Sequence, residues 1–215
     1  MDTREAPTQA EISALARLAV QQRLEDAVSM VVQLSREGLS IESLLLGLLA
    51  PTARALGEAW LNDELSFADV TVGLGTLHRV LMALRPPPRS LPSDAPPVVL
   101  ALAPGEQHNL GLAVFSELLR PVGLSVVVTQ DYAEALDLVR QREVVALGFS
   151  VSTDRWLKPL RKVIAAAKRH SRSEDLLILL GGSCDATSFA AKVGVTYCSD
   201  VRAAVRLVTE RRSAT

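Results

Sequence analysis

Two residues set two positions apart, Glu106 and His108, carry the strongest chemical signal in this chain. They lie in the run Ala103-Pro104-Gly105-Glu106-Gln107-His108-Asn109-Leu110-Gly111, between an apolar strand-like stretch over 98–102 and a helix-like one. An imidazole is a common metal ligand, and here a carboxylate stands two residues before it. That chemistry has few candidates, because the 215 residues contain only three histidines. Two further clusters carry weaker signals. Ser150-Val151-Ser152-Thr153 offers hydroxyl donors, and Gly181-Gly182-Ser183 leaves backbone bare for a ligand to lie against. Each has a plainer reading taken alone. A single loop histidine is commonly a surface residue, Ser150 and Ser152 could cap a helix starting near Asp154, and a Gly-Gly pair is commonly a turn.

The elements that must position these residues follow from the apolar pattern. Strand-like runs at 98–102, 124–129, 144–149, 176–180 and 195–198 alternate with helix-like stretches at about 112–119, 132–141, 156–170, 186–192 and 201–211. Short, wholly apolar strands separated by amphipathic helices imply an α/β fold with a parallel sheet covered on both faces. Five such units predict a flavodoxin-like (Rossmann-like) five-stranded parallel sheet, whose ligands bind beyond the carboxyl ends of the strands at a switch point. All three clusters fall in loops that follow strands, on one edge of that sheet.

Before this region the signals are helical. Helices are expected over 9–21 and over 24–37, the second stopped by Gly38. A third is capped by Ser40 and buries Leu44, Leu45, Leu46, Leu48 and Leu49, and Pro51 opens another that runs through Trp60. Ser66 and Asp69 form a capping box for the last, with Val72, Leu74, Leu77, Leu81 and Leu84 as its apolar stripe. Short helices with brief connections describe a small N-terminal helical bundle. The proline-rich run 86–97 reads as a stiff extended linker. The expected domains are therefore a bundle over 1–85, a linker over 86–97 and an α/β domain over 98–215.

Composition narrows the function classes. With 48% hydrophobic and 22% charged residues the chain is globular, and a formal net charge of −1 leaves no overall footprint for non-specific nucleic-acid binding. Arg155, Lys158, Arg161, Lys162, Lys168, Arg169 and Arg172 nevertheless crowd one helix and its end, and Arg202, Arg206, Arg211 and Arg212 gather near the C-terminus. A solvated helix face is the plain reading. Cofactor phosphate, an acidic protein surface or DNA are the others, with DNA not expected as the sole partner. Cys184 and Cys198 are too far apart for a C-x-x-C motif and read as reduced thiols. The polar N-terminus lacks a signal-peptide core, and no apolar run approaches the roughly 20 residues that cross a bilayer. A cytoplasmic protein with no membrane partner is expected.

Taken in order, Glu106-x-His108-x-x-Gly111, Ser150-x-Ser152 and Gly181-Gly182 resemble three loops of the cobalamin-binding domain shared by methionine synthase, the mutases and their sensor relatives. Those loops read D/E-x-H-x-x-G, S-x-L or S-x-T/S, and G-G, and the resemblance covers roughly residues 98–210. It implies that His108 ligates cobalt from below in place of the cofactor's own dimethylbenzimidazole, with Glu106 on the other ring nitrogen. It further implies that Gly111 lets its helix pass close to the displaced nucleotide tail, which Ser150 and Ser152 hydrogen-bond above a floor of Gly181 and Gly182. The stretch 56–66, LGEAWLNDELS, is similar to the helical cap of such proteins, G-E-x-W…(G/D)-E-(L/I)-S, which implies that Trp60 lies against the upper corrin face. In light-sensing repressors of the CarH type a Glu-His pair after this tryptophan supplies an upper histidine. Here Val70 and Thr71 stand there, leaving only His78 nearby, itself read more readily as a core or surface residue.

A capped cobalamin module expected to lack an output or catalytic domain resembles the short AerR/PpaA-type antirepressors of photosystem genes in purple photosynthetic bacteria. The resemblance implies a non-enzymatic, light- or redox-responsive transcriptional regulator that holds hydroxo- or aquo-cobalamin. Its partner would be a transcriptional repressor of photosystem genes, met through protein–protein contact. Two alternatives stay open: a corrinoid carrier protein of a methyltransferase system, and a haem-binding sensor that uses His108.

Overall fold

A computed structural model describes residues 6–85, 95–129 and 131–213. The chain divides into two compact units, Met1–Pro88 and Arg89–Thr215. Most of the expected linker, 86–94, lies outside the described residues, and Pro96 and Pro97 lead straight into the first strand.

The first unit contains α1 (Gln9–Val20), α2 (Leu24–Arg36), a π-helical segment (Ser43–Leu49), α3 (Ala50–Leu61) and α4 (Phe67–Ala83). Capping boxes open α1, between Thr8 and Glu11, and α4, between Ser66 and Asp69, each satisfying two amide donors that a helix start leaves bare. Gly38, at φ +101°, ends the turn after α2 in a backbone region that side chains avoid.

The expectation of separate helices around Pro51 needs correction. The chain runs helically from Ile41 to Leu61, and Ser43–Leu49 is wound as a π-helix. Proline has no N–H for the carbonyl four residues back and its ring crowds that carbonyl. The wider i→i+5 turn absorbs the misfit, and the Ala50 amide reaches back to the Leu45 carbonyl. Leu44, Leu45, Leu48 and Leu49 are buried as expected, whereas Leu46 is only partly so. In α4 the buried residues are Gly73, Thr76, Leu77, Val80 and Leu81; Val72, Leu74 and Leu84 of the expected stripe are half-buried. The stripe follows Gly73, where an added Cβ would lie 2.8 Å from a Leu56 methyl, so α4 packs on α3 through its smallest residue. By length and mean hydropathy of 1.2, the helical run Ser43–Leu61 could cross a membrane, contrary to the reading of the sequence. In this structure a third of it is buried, with Leu44, Leu45, Leu48, Leu49, Thr52 and Leu56 inside the bundle.

The second unit is a five-stranded sheet of order β2-β1-β3-β4-β5. The strands are β1 (Val98–Leu102), β2 (Val126–Val128), β3 (Ala146–Ser150), β4 (Leu177–Gly181) and β5 (Thr196–Tyr197). Every pairing is parallel, as the flavodoxin-like expectation requires. The helices are α5 (Leu110–Leu119), α6 (Tyr132–Gln141), α7 (Leu157–His170), α8 (Thr187–Val193) and α9 (Val201–Ser213). Alternate residues of each central strand face opposite ways. Val99, Ala101, Leu147, Phe149, Ile178 and Leu180 bury with Val139, Leu160 and Ile164 of α6 and α7. Val98, Leu100, Ala146 and Leu179 bury with Leu112, Leu119, Ala204 and Val208 of α5 and α9. At roughly 1.5–3 kcal/mol for each large apolar side chain removed from water, these two layers hold the strand ends in place. The edge strands are shorter than the sequence suggested because each has only one neighbour to pair with.

Candidate functional site

The register places the site. Leu102 of β1 pairs with Ser150 of β3, and Ser150 pairs with Gly181 of β4, so three strands end in one row. Strand order reverses between β1 and β3, and the three loops that leave this row stand at the switch point where such folds take ligands. The structure thus brings Glu106, His108, Gly111, Ser150, Ser152, Gly181 and Gly182 to one edge of one sheet. Trp60 belongs to the helical unit.

The first loop turns on Pro104 and Gly105. The Glu106 amide donates to the Ala103 carbonyl at 2.9 Å, and Gly105 has φ +88°, which together make a type II turn with proline and glycine at its two central positions. No other residue fits at 105, because an added Cβ would lie 2.3 Å from the Trp156 ring. The turn carries the Glu106 carboxylate inward, where its side chain is 1% exposed, and leaves the His108 side chain 70% exposed.

Glu106 organises everything around it. One oxygen, Oε1, accepts from the Gln107 amide at 2.8 Å and the His108 amide at 2.9 Å, and lies 2.7 Å from His108 Nδ1. The other, Oε2, accepts from the Ser152 amide of the next loop at 2.7 Å. Burial alone would raise this carboxyl's pKa. Hydrogen bonding from Ser152 and from the amide and ring of His108 outweighs it and lowers the pKa to about 2. An ionised carboxylate can only accept, so His108 Nδ1 carries a proton and Nε2 is the ring nitrogen left for a ligand. Among the described residues nothing hydrogen-bonds Nε2.

The hydroxyl and glycine loops divide into parts that the chain needs and parts that it does not. Ser152 Oγ is buried, and though it helps to lower the Glu106 pKa it makes no hydrogen bond of normal geometry among the described residues. Ser150 and Ser152 do not cap the following helix: Thr153 holds that position, before a short 3-10 turn over Asp154–Trp156, and makes no side-chain cap. Gly182, at φ +123°, is demanded by the fold, since an added Cβ would sit 2.1 Å from the Val151 carbonyl oxygen. Gly181 meets only an ordinary contact, the Cys198 carbonyl at 3.8 Å, and Gly111 meets nothing within 4 Å. The space beside Gly111 and the orphaned Ser152 hydroxyl are features that packing of this chain leaves unexplained. Trp156, Gly105 and the Glu106–Ser152 bridge complete the site and went unread in the sequence, although the Pro-Gly dipeptide is itself a turn signature.

Neither cysteine suits metal or nucleophilic work. Burial, with Asp154 and Asp185 nearby, raises the Cys184 thiol pKa, and burial with Asp200 raises that of Cys198. Among the described residues no group of three or more His, Cys, Asp or Glu could hold a bare metal ion. A single oriented imidazole suits a metal that arrives already held by a macrocycle.

In the helical unit, Trp60 is 47% exposed and meets Phe67 edge-on, with ring centroids 6.4 Å apart. Leu61 and Phe67 beside it are exposed as well, an apolar patch on an otherwise polar turn. At the positions of the missing Glu-His pair, the Thr71 hydroxyl is taken up by the Phe67 carbonyl at 2.8 Å, and Val70 is half-buried. His78 is half-buried too, with Nδ1 out of solvent and without a hydrogen-bond partner among the described residues.

The fold of the chain is that of a known corrinoid protein. The monomethylamine corrinoid protein of Methanosarcina barkeri superposes with a TM-score of 0.76 at 13% identity, over 94% of this chain and 99% of that one. A cobalamin-binding protein from Desulfitobacterium hafniense gives a TM-score of 0.49 at 16% identity, over 94% and 98% of the two chains. In sequence, the chain is 33% identical over 92 residues to an uncharacterized 20.5 kDa protein in the bchF–crtJ intergenic region of Rhodobacter capsulatus. That match takes in 40% of this chain and 46% of the relative, so it spans about half the relative's length. No family model matches the sequence.

Two predictions follow from the geometry. Gly182→Ala should destabilise the protein by more than about 2 kcal/mol in urea unfolding, through strain and the Val151 clash, whereas Gly111→Ala should leave stability unchanged or raise it by about 0.5 kcal/mol. The carboxyl of Glu106 has its pKa lowered from an ordinary 4.5 to about 2, so its stabilisation is present in full above pH 4.5 and is lost as pH falls from there toward 2. On the order of 2 kcal/mol is involved. Denaturant titrations between pH 6 and pH 3 should show this loss in the native protein and a flatter dependence in Glu106→Gln.

Proposed function

We propose that this chain binds cobalamin and acts as a light- or redox-responsive regulator through contact with a partner protein, a transcriptional repressor of photosystem genes. The observation that carries the cobalamin part is the Glu106–His108 pair: a carboxylate fixed on both oxygens holds one ring nitrogen and leaves the other open at the carboxyl ends of the strands. Bound cobalamin would supply a cobalt centre whose colour and upper coordination respond to light and redox state. His108 would be its lower ligand and Glu106 the residue that sets the ring's tautomer and tilt. Gly111 and Gly181 would leave room for the nucleotide tail, the otherwise unsatisfied Ser152 hydroxyl would bond it with Ser150, and Gly182 would complete the floor. Haem is the weaker alternative, because the surroundings of His108 are polar and open.

The regulatory part is supported by the relative in the bchF–crtJ intergenic region, within a photosynthesis gene cluster. A ligand can drive such a switch only through different affinities for two arrangements of the protein, and the partner repressor would read the arrangement that cobalamin favours. A second reading has an observation of its own. The likeness to the Methanosarcina barkeri corrinoid protein equally suits a corrinoid carrier in a methyltransferase system. In neither reading does the chain itself catalyse, and a cytoplasmic location without a membrane partner fits both.

Reconstitution with hydroxocobalamin should give a bound corrin spectrum that His108→Ala abolishes; an unchanged spectrum and affinity in that variant would sink the axial-ligand role. Glu106→Gln should keep the spectrum type but weaken affinity about 10- to 100-fold, the usual effect of losing a carboxylate behind a ligand histidine. Spectra and repressor binding compared in dark and light separate the readings. Repressor affinity that shifts with illumination supports regulation, whereas methyl transfer onto the loaded protein without repressor binding establishes the carrier.

A further inference from the structure

Beside the candidate site, α6 and α7 leave a groove of about 470 Å³ lined by Tyr132, Leu136, Lys158, Lys162, Val163 and, from the His108 loop, Pro104. Its floor is apolar and one rim carries two ammonium groups a helical turn apart. We propose that this groove docks an acidic segment of a partner protein, anchored by an apolar side chain placed in the groove and by carboxylates placed on Lys158 and Lys162. This goes beyond the cobalamin reading and stands without it.

The argument rests on which charges are free. From Arg155 to Arg172 the chain has seven Lys or Arg and no acidic residue. Three of the seven are committed within the unit. Arg155 stacks over the Trp156 ring at 4.2 Å, Lys168 donates to the Val193 and Gly194 carbonyls, and Arg172 donates to the Gln141 carbonyl. Lys158, Arg161, Lys162 and Arg169 are exposed and form no ion pair among the described residues. Of the acidic groups on the facing helix, Asp131 caps its amides, Asp137 pairs with Arg140, and Glu134 also has a partner. Unpaired cations on a net-acidic chain attract an acidic partner, and an apolar slot between them accepts what carboxylates alone could not fill. Duplex DNA would use the cations but has nothing for a floor of Leu136, Val163 and Pro104. The occupant would also touch Pro104, a central residue of the turn that carries Glu106 and His108, so a docked segment and a ligand at His108 share a loop.

Fluorescence anisotropy on the full chain without added cobalamin tests the groove separately from the cofactor. The probe is a labelled helical peptide with leucines at i and i+4 among glutamates. The expected result is saturable binding that weakens with salt, and about tenfold in Lys158→Glu/Lys162→Glu. It should also fall in Leu136→Ser, and when serine replaces the peptide's leucines. Circular dichroism checks that the variants stay folded. Equal binding to the native and charge-reversed proteins overturns the proposal, as does no saturable binding. Tighter binding of a mixed-sequence duplex DNA, lost in the same double variant, overturns it in favour of nucleic acid.

Discussion

A single carboxylate, that of Glu106, joins the two loops on which the candidate site depends. It is buried, so it costs free energy unless its oxygens are paired, and four donors from two loops pair both of them. The histidine ring is one of those donors, so the orientation of the exposed imidazole at the switch point is set by the same bonds that hold the loops together. Remove the charge and the site loses both its scaffold and its basicity. The depressed pKa is the thermodynamic face of that geometry.

The rest of the sheet unit can be understood as what brings Glu106 and Ser152 within reach. Parallel pairing in register ends β1, β3 and β4 in one row, and two apolar layers keep that row from sliding. The Pro104-Gly105 turn then redirects the chain so that the next side chain points in and the one after the following residue points out. Gly182 contributes from the other side by letting its backbone lie against Val151, which fixes the third and fourth loops as one surface.

Much of this was legible in the sequence, for physical reasons. Alternating apolar strands and amphipathic helices gave the parallel order, and the loops after strands gave the positions of Glu106, His108, Ser150 and Gly181. What was not legible depended on contacts between distant residues. Nothing in the spacing of Glu106 and Ser152 announces a bond across 46 positions, and Gly182 reads the same whether it makes room for a ligand or for Val151. The π-helix escaped because helical periodicity was broken at Pro51 and looked like two helices. The stripe of α4 was misread at Val72 and Leu74 because small residues, Gly73 and Thr76, face the core there.

The π-helical turn also has a consequence for how the helical unit can evolve. A widened turn is an extra residue held inside a continuous helix, and one residue corresponds to about 100° of rotation for everything downstream. Ser43–Leu49 therefore sets the phase of α3, and with it whether Trp60 and Leu61 emerge on the outer surface or turn toward the bundle. A one-residue deletion in that turn would swing the aromatic patch to a different azimuth, and by the same rotation would carry Thr52 and Leu56 out of the core and off Gly73. The length of this segment thus ties the surface the bundle offers to the packing beneath it.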